Sequence, residues 1–421
     1  MKTTVGVFHE DLLVGELAYT HDRGREVCQF AYSEAWMSHE GRFQIDPELP
    51  LARGYFSPRK GPNVFFGCLA DSEPDGWGRK VILRDRTKRG LGTPNNLENL
   101  LDLHDMSRIG ALRFSPDGGK TFVADPGPGK RAAPPILELD QLLRAATAVD
   151  KDTESAADLR LLLERGSPLG GMRPKCTVID EDGHLALGKF PASTDGHDIV
   201  RSEVLALQLG AMAGIRTATA RVVVADGRPV AVVRRFDRDG TRRIMYQSGR
   251  TFIGANNTDD THSYTEFADE LRGRGAKPDD DIEELWRRIV FTVLISNFDD
   301  HLHNHGFLHT QHGQWRLSPA FDINPAPDKQ RTLKTWVDLD TGPDATIEAA
   351  MHAAPRFGIR AKRAREILSE VIAAADQWSE IAKRIGLSSR DRKLIAPAFE
   401  HEERDAALRE ASRGRAGQTI R

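Results

Sequence analysis

The run DDDIEELWRRIVFTVLISNF, residues 279–298, constrains the fold more than any other stretch of the chain. Ile282, Leu285, Trp286, Ile289, Val290, Val293 and Leu294 recur at helical spacing, so one broad stripe of a helix must be buried. Aspartates open it, where the positive end of the helix dipole favours anions. A helix this apolar needs a core around it and delivers the residues that follow to a fixed place. Those residues are DDHLHNHGF, in which four residues separate Asp299 from Asn304 and His301 lies between them.

That order suits phosphoryl transfer. In kinase catalytic loops an Asp accepts or orients the hydroxyl of the nucleophile, and an Asn five positions on turns back to hold Mg²⁺ on the phosphates. Eighteen residues further, LSPAFDINP supplies Asp322 after a short apolar run, where a second metal-binding carboxylate is wanted.

At 421 residues the chain can bury large cores and has room for two or three domains or lobes. Its 59 basic and 62 acidic residues nearly cancel, so bulk electrostatics do not make it a nucleic-acid binder. A hydrophobic content of 39% with 29% charged residues implies a folded protein. Cys28, Cys68 and Cys176 are odd in number and lack metal-ligand spacing, which fits a reduced cytoplasm. The start has no apolar signal core and no run of eighteen apolar residues occurs, so neither secretion nor membrane spanning is expected.

From Thr3 to about Phe114 short strands alternate with turns: TVGVFHEDLLVGELAY reads as a hairpin and CQFAYSEAW as a further strand. NVFFGCLADSEPDGWGRKVILRDR is an apolar run broken at Pro74-Asp75-Gly76-Trp77 that resumes as a helix, with no catalytic constellation. Residues 115–135 are rich in Pro and Gly and mark a boundary. A helix is expected over 153–164.

GSPLGGMRPK, residues 166–175, then offers glycines that let backbone amides approach an anion, with Arg173 and Lys175 adding positive charge. No Gly-Lys-Ser/Thr triplet ends it, and alone it reads as a plain glycine turn. CTVID and HLALGKF follow as a hairpin, in which alternation puts Leu185, Leu187 and Lys189 on one face. IVRSEVLALQLGAMAGI is a helix with Glu203 in its first turns. A strand lysine followed by a helix glutamate is the pair by which kinases hold the α and β phosphates. The competing reading is an exposed lysine and an unrelated surface glutamate.

Residues 217–225 and PVAVVRRF form a second hairpin that runs into Arg235-Phe236-Asp237-Arg238. In a two-lobed kinase the chain crosses between lobes here, and Asp237 suits a ribose hydroxyl. A turn closed by an Asp-Arg pair reads equally well. A helical stretch from about Ile359 to Ile385 and a charge-rich tail, expected to fray, complete the chain.

The order is glycine-rich loop, strand lysine, helix glutamate, crossing segment, Asp/Asn loop and metal aspartate, which is the kinase order. Asp299 then positions or deprotonates the acceptor, Asn304 and Asp322 bind Mg²⁺, Lys189 neutralises phosphate charge, and His301 braces the loop or touches the transferring phosphate. Two other classes compete. His301, His303, His305, His309 and His312 offer zinc or iron ligands for a hydrolase, since strand alternation would put the first three on one face. A catalytically silent kinase-like binding module is the other.

GSPLGGMRPK, LGKF, SEVLALQLGAMAGI, RRFDR, NFDDHLHNHGF and LSPAFDINP together resemble the HipA family of bacterial serine/threonine kinases, toxins of HipBA toxin–antitoxin pairs. The loop also looks like the Asp-x-His-x-x-Asn loop of phosphatidylinositol kinases. The resemblance implies an α+β, bilobal protein-kinase-like fold: a β-rich subdomain over 1–115, a nucleotide-binding portion over 136–238 and a helical lobe over 239–421. It implies ATP and Mg²⁺ as cofactors, Asp299 as the catalytic Asp, Asn304 and Asp322 as metal ligands, and Lys189 as the ATP lysine. Gly170, Gly171 and Lys175 would belong to the phosphate loop, and Arg234, Phe236 and Asp237 would surround the adenosine.

VGELAY and PDGWGR look like the family's amino-terminal subdomain, which contacts the antitoxin. A HipB-like helix-turn-helix antitoxin is the implied partner, with DNA reached mainly through it. The implied substrate is a protein such as an aminoacyl-tRNA synthetase. Some relatives carry a lysine where this chain has His303. Relatives also autophosphorylate a loop serine, a position that falls here on Pro168 beside Ser167.

Overall fold

The computed structural model describes residues 2–59, 63–122, 138–165, 171–255, 260–327 and 331–416. It has two compact units, each assembled from separated segments. The first comprises Met1–Thr194, Val223–Thr258 and Leu308–Gly313; the second comprises Asp195–Val222, Asp259–Phe307 and Gln314–Arg421.

The first unit opens with strands β1 (Lys2–His9), β2 (Leu12–Asp22) and β3 (Arg25–Tyr32), and β4 (Leu112–Ser115) returns to pair with β1, giving the order β3-β2-β1-β4. The expected hairpin is present, with Val5 opposite Leu17 and a bulge at Val7/Phe8. The strand expected through CQFAYSEAW instead stops at Tyr32. Ser33 accepts the Trp36 N–H at 3.0 Å and caps a short helix, Glu34–Ser38. A serine cap, absent from a pattern based on alternation, ended the strand.

A second sheet contains β5 (Lys175–Ile179), β6 (Leu185–Lys189), β7 (Ala220–Ala225) and β8 (Arg228–Arg234) in the order β5-β6-β8-β7. Lys175 lies opposite Lys189. Ala186, Cys176, Val178 and Val230 pack with Trp77, Val81, Leu142, Leu143, Leu159 and Leu162 from the helices Gly76–Lys88, Leu139–Asp150 and Ala156–Arg165. Because Ala186 faces that core, Leu185, Leu187 and Lys189 share the opposite, half-buried face, as alternation requires. Gly76 and Trp77, expected as a break, are the first turn of their helix, capped by Asp75 accepting from the Gly78 N–H at 2.8 Å. The helix Leu139–Asp150 was not anticipated.

In the second unit the helix Pro278–Leu294 is the centre, packed against the helices Tyr264–Arg274, Ile347–Ala353, Ala361–Ala375 and Glu402–Ala416. Every residue from Glu284 to Leu294 is buried, so it is enclosed all round, where the sequence implied a stripe. Its acidic start does more than meet the dipole. Asp281, fully buried, accepts from Arg216 Nη2 at 2.6 Å, from Arg316 at 2.7 and 2.9 Å, and from the Leu317 N–H at 3.1 Å. Three partners on one carboxylate compensate its desolvation and pin the helix start to the strand Trp315–Leu317.

The stretch expected to be helical over 359–385 is two helices, Ala361–Ala375 and Trp378–Arg384, separated at Asp376 and Gln377. The tail, expected to fray, is helical from Glu402 to Ala416 and packs on Ala361–Ala375. Ala407 is buried, Arg365 donates to Glu410 at 3.0 Å, and Glu403 accepts the Ile347 N–H at 2.7 Å. Charges that read as a solvated tail are partners for neighbouring helices. All three cysteines are buried and free. Among the described residues no helix is long and apolar enough to cross a membrane.

Ile289 is fully buried in the central helix. Ile289→Ala should cost about 2–5 kcal/mol and lower the urea midpoint; an unchanged midpoint would show that the helix is not packed as described.

Candidate functional site

The central helix stops abruptly. Ile295 donates to the Phe291 carbonyl at 3.0 Å, Asn297 to Thr292 at 3.0 Å, and Ser296 between them is left-handed at φ +56°. Glycine usually takes that place, and a residue with a Cβ is held there only by its surroundings. Ser296 is so held. Its hydroxyl donates to the Ala398 carbonyl and accepts from Arg331 Nη1, both at 3.0 Å, and its carbonyl accepts the Ala326 N–H at 3.0 Å.

Beyond this turn the loop closes on itself. The His301 N–H donates to the Asp299 carbonyl at 3.0 Å, the Asn304 N–H to His301 at 2.8 Å, and Asn304 Nδ2 to the Asp299 carbonyl at 2.9 Å. An amide whose nitrogen is committed this way presents its oxygen as the acceptor. Asp299 itself is largely exposed, and its Oδ1 meets Lys334 Nζ.

Asp300 is the reverse. It is buried, its Oδ2 accepts from the Tyr264 hydroxyl and from Thr292 Oγ1 at 3.3 Å, and its Oδ1 lies 3.2 Å from His305 Nε2. Burial alone would raise its pKa, but the His305 and Tyr264 contacts outweigh it and hold the carboxyl below its ordinary value.

Asp322 belongs to the same unit. Ala320 is pinned by its N–H to Arg216 O at 2.7 Å and by its carbonyl to the Ala218 N–H at 2.8 Å. Two residues on, Asp322 is left-handed at φ +55°, and its Oδ1 lies 3.4 Å from Asn324 Nδ2. The Asn324 N–H donates to Asn297 Oδ1 at 3.1 Å. That bond joins the loop of Asp299 to the loop of Asp322. Asn324 Oδ1 is buried with no hydrogen-bond partner among the described residues. Carboxylate and amide oxygens are the hard donors that Mg²⁺ takes, so the residues present fit that ion. Glu203 lies buried on the helix Ile199–Met212 of this unit.

The histidines do not form the expected strand face. Leu302–Asn304 is a single helical turn, and His305 is buried edge-on against Tyr264 at 5.2 Å. No group of three or more His, Cys, Asp or Glu that could hold a metal occurs among the described residues.

The other candidates belong to the first unit. Gly170 and Ser167 lie outside the described residues. Gly171 is left-handed at φ +80°, its carbonyl accepts the Trp77 N–H at 3.1 Å, and an added Cβ would come within 2.9 Å of Lys175 Nζ. Lys175 is buried, with Nζ 3.3 Å from Asp75, and its carbonyl accepts Trp77 Nε1 at 3.2 Å. The PDGW segment, expected to take no part in any constellation, thus clasps residues 171–175. Lys189 ends β6, half-buried. Arg234 is exposed, with Nη2 2.8 Å from His184 Nε2, and Phe236 lies 6.4 Å from the Tyr246 ring.

Asp237 is not the open ribose acceptor that was expected. It is buried, with Oδ1 taken by Arg235 Nε at 2.9 Å and Oδ2 by Arg235 and Arg238 at 2.6 Å and by the Gly110 N–H at 2.7 Å. Burial would raise its pKa, but the two guanidinium groups depress it far below the carboxylate range. The alternative reading, a turn closed by an Asp-Arg pair, describes it. A cavity of about 500 Å³ in this unit, lined by residues including His9, Trp36, Phe43 and Arg242, has His309 and His312 in its wall but none of the residues expected to bind ATP or Mg²⁺.

Sequence reasoning also missed Lys334, Asn297, Asn324 and Tyr264. Their partners lie 27 to 36 positions away, so no local spacing announced them.

Asp237→Ala should cost about 3–5 kcal/mol by stranding two buried arginines, read as a lower urea midpoint. Unchanged stability with only weaker nucleotide binding would restore the ribose assignment. Tyr264→Phe removes a donor from buried Asp300 and should cost about 1–3 kcal/mol at neutral pH. Because the folded pKa of Asp300 is depressed, its contribution is complete above the unfolded value and is lost as pH falls through the folded one. The gap between wild type and variant should therefore shrink below about pH 4; a constant gap would contradict the arrangement.

Known proteins resemble this one along most of its length. The family model of the HipA N-terminal domain matches residues 5–125, and that of the HipA-like C-terminal domain matches residues 167–379. Y4mE of Sinorhizobium fredii, provisionally named as a kinase, is 27% identical over 415 residues, covering 91% of this chain and 86% of its own. A Haemophilus influenzae protein with a similar provisional name is 23% identical over 191 residues, 39% of this chain and 55% of its own. HipA of Shewanella oneidensis MR-1, solved with HipB and its operator DNA, superposes with a TM-score of 0.65, covering 97% of each chain at 15% identity, so the fold is shared. With both domains matched, and the C-terminal one alone spanning just over half of the sequence, this chain belongs to the HipA family.

Proposed function

We propose that this protein is an ATP- and Mg²⁺-dependent serine/threonine protein kinase, the toxin of a type II toxin–antitoxin pair. The observation that carries the reading is the loop pair of the second unit. Asn304 folds back on the Asp299 backbone, and the Asn297–Asn324 bond ties that loop to the one bearing Asp322.

In this reading Asp299 receives the proton of a serine or threonine hydroxyl as its oxygen bonds to the γ-phosphorus. The bond from that phosphorus to the bridging oxygen breaks, and ADP leaves with the electron pair. The exposure of Asp299 leaves it open to an incoming side chain, and the closed turn below fixes where that oxygen must come. The Asn304 and Asp322 oxygens would hold Mg²⁺, which neutralises charge on the phosphates. His301, whose N–H and carbonyl both bond within the loop, braces it.

Lys189 and Glu203 are assigned to the ATP phosphates on chain order. Gly170 and Gly171 are assigned to the same phosphates, and Arg234 and Phe236 to the adenosine, on family resemblance. Lys175 already meets Asp75, so it is the weaker candidate for a phosphate contact. Ser167 is the proposed site of self-phosphorylation. An aminoacyl-tRNA synthetase is the proposed target, with arrest of translation as the outcome. A HipB-like antitoxin is the proposed partner, supported by the Shewanella complex, and near-neutral charge agrees with DNA contact mainly through it.

Incubating the full chain with labelled ATP, Mg²⁺ and a cell lysate tests the reading. Wild type should label discrete proteins on serine or threonine, and Asp299→Asn should lower the rate at least about 100-fold. Equal labelling by both would remove Asp299 from the mechanism.

A further inference from the structure

The loop from Ser296 to Phe307 contains no lysine or arginine, although a transferring phosphoryl group carries negative charge that the site must meet. A cation reaches this loop from elsewhere in the same unit. Lys334 Nζ contacts Asp299 Oδ1, and both side chains are more than half exposed, at 58% and 66%. An ion pair that open contributes about 0–1 kcal/mol, so it does not hold the loop in place.

What holds Lys334 is its backbone. Leu333, Thr335 and Val337 are buried on alternate positions, leaving Lys334 outward. The Leu333 N–H donates to the Pro343 carbonyl at 2.8 Å, and the Trp336 N–H to His262 at 2.9 Å. Tyr264 then couples this strand-like segment to the loop. Its N–H donates to the Trp336 carbonyl at 2.9 Å, and its hydroxyl donates to Asp300, the neighbour of Asp299. One buried residue therefore fixes Lys334 and Asp299 to a common frame. A weak pair in a rigid frame is the mark of a group placed for a third partner.

We propose that Lys334 is a catalytic residue that supplies the positive charge the loop lacks, contacting the phosphoryl group as it passes from ATP to the hydroxyl beside Asp299. The inference rests on the kinase reading above. It gives the reacting centre a cation that the loop from Ser296 to Phe307 does not itself carry. It also predicts that charge rather than shape is what matters at residue 334.

The test compares wild type, Lys334→Met, Lys334→Arg and Asp299→Asn for labelling of the same lysate proteins over a range of Mg·ATP concentrations, with melting temperatures alongside. Lys334→Met should lower kcat about 100-fold while the KM for ATP changes less than about twofold, because the lost contact forms in the transition state. Lys334→Arg should recover most of the rate, and no melting temperature should move. Wild-type rates in Lys334→Met with Asp299→Asn silent would overturn the role of Lys334 and leave the kinase reading standing. A loss accompanied by a lower melting temperature and not recovered by arginine would make Lys334 structural. No transfer by wild type would remove both.

Discussion

One hydrogen bond, from the Asn324 N–H to Asn297 Oδ1, sets the geometry on which the candidate site depends. The helix Pro278–Leu294 arrives enclosed on all sides, anchored at its start by Asp281 and stopped at its end by left-handed Ser296. The segment carrying Asp322 arrives anchored at Ala320 and turns at a second left-handed residue. Each non-glycine residue in that conformation costs on the order of 1 kcal/mol or more and persists because its neighbours over-determine it. The two loops are joined by that bond, which ties the segment of Asp322 to the segment of Asp299.

Asp299 and Asp300 show how one chain gives adjacent carboxyls different work. Asp300 points into the unit and is satisfied by Tyr264, Thr292 and the nearby imidazole of His305, so its charge is spent on holding the loop. Asp299 points outward to a single lysine and remains open to an incoming group. A strand-like alternation would send neighbours to opposite faces in the same way, but here the loop is a turn. The separation comes from buried partners.

Elements with strong local signals were legible in the sequence. The β1–β2 and β5–β6 hairpins followed from alternation and turn residues, and the central helix from its apolar spacing. The Asp299–Asn304 spacing reads as a metal-holding loop; the bond from Asn304 Nδ2 to the Asp299 carbonyl, which closes that loop, was not anticipated. What could not be read was set by distant partners. Asp237 looks like any exposed turn residue until Gly110, more than a hundred positions away, is seen to close over it. The carboxyl-terminal helix looks like a solvated tail because its charges match those of helices that the sequence does not place beside it. Lys334 sits in a stretch with no periodicity of its own, and its position follows from the backbone of His262 and Tyr264.

Phosphoryl transfer as proposed requires the two loops to converge on one metal ion. A crystal structure of the full chain with Mg²⁺ and a non-hydrolysable ATP analogue tests it most directly. The prediction is one Mg²⁺ bonded to both Asn304 Oδ1 and an Asp322 carboxylate oxygen at about 2.1 Å, with the Asn297–Asn324 bond retained. A metal bound without either residue, or the two loops separated in the presence of nucleotide, would contradict it.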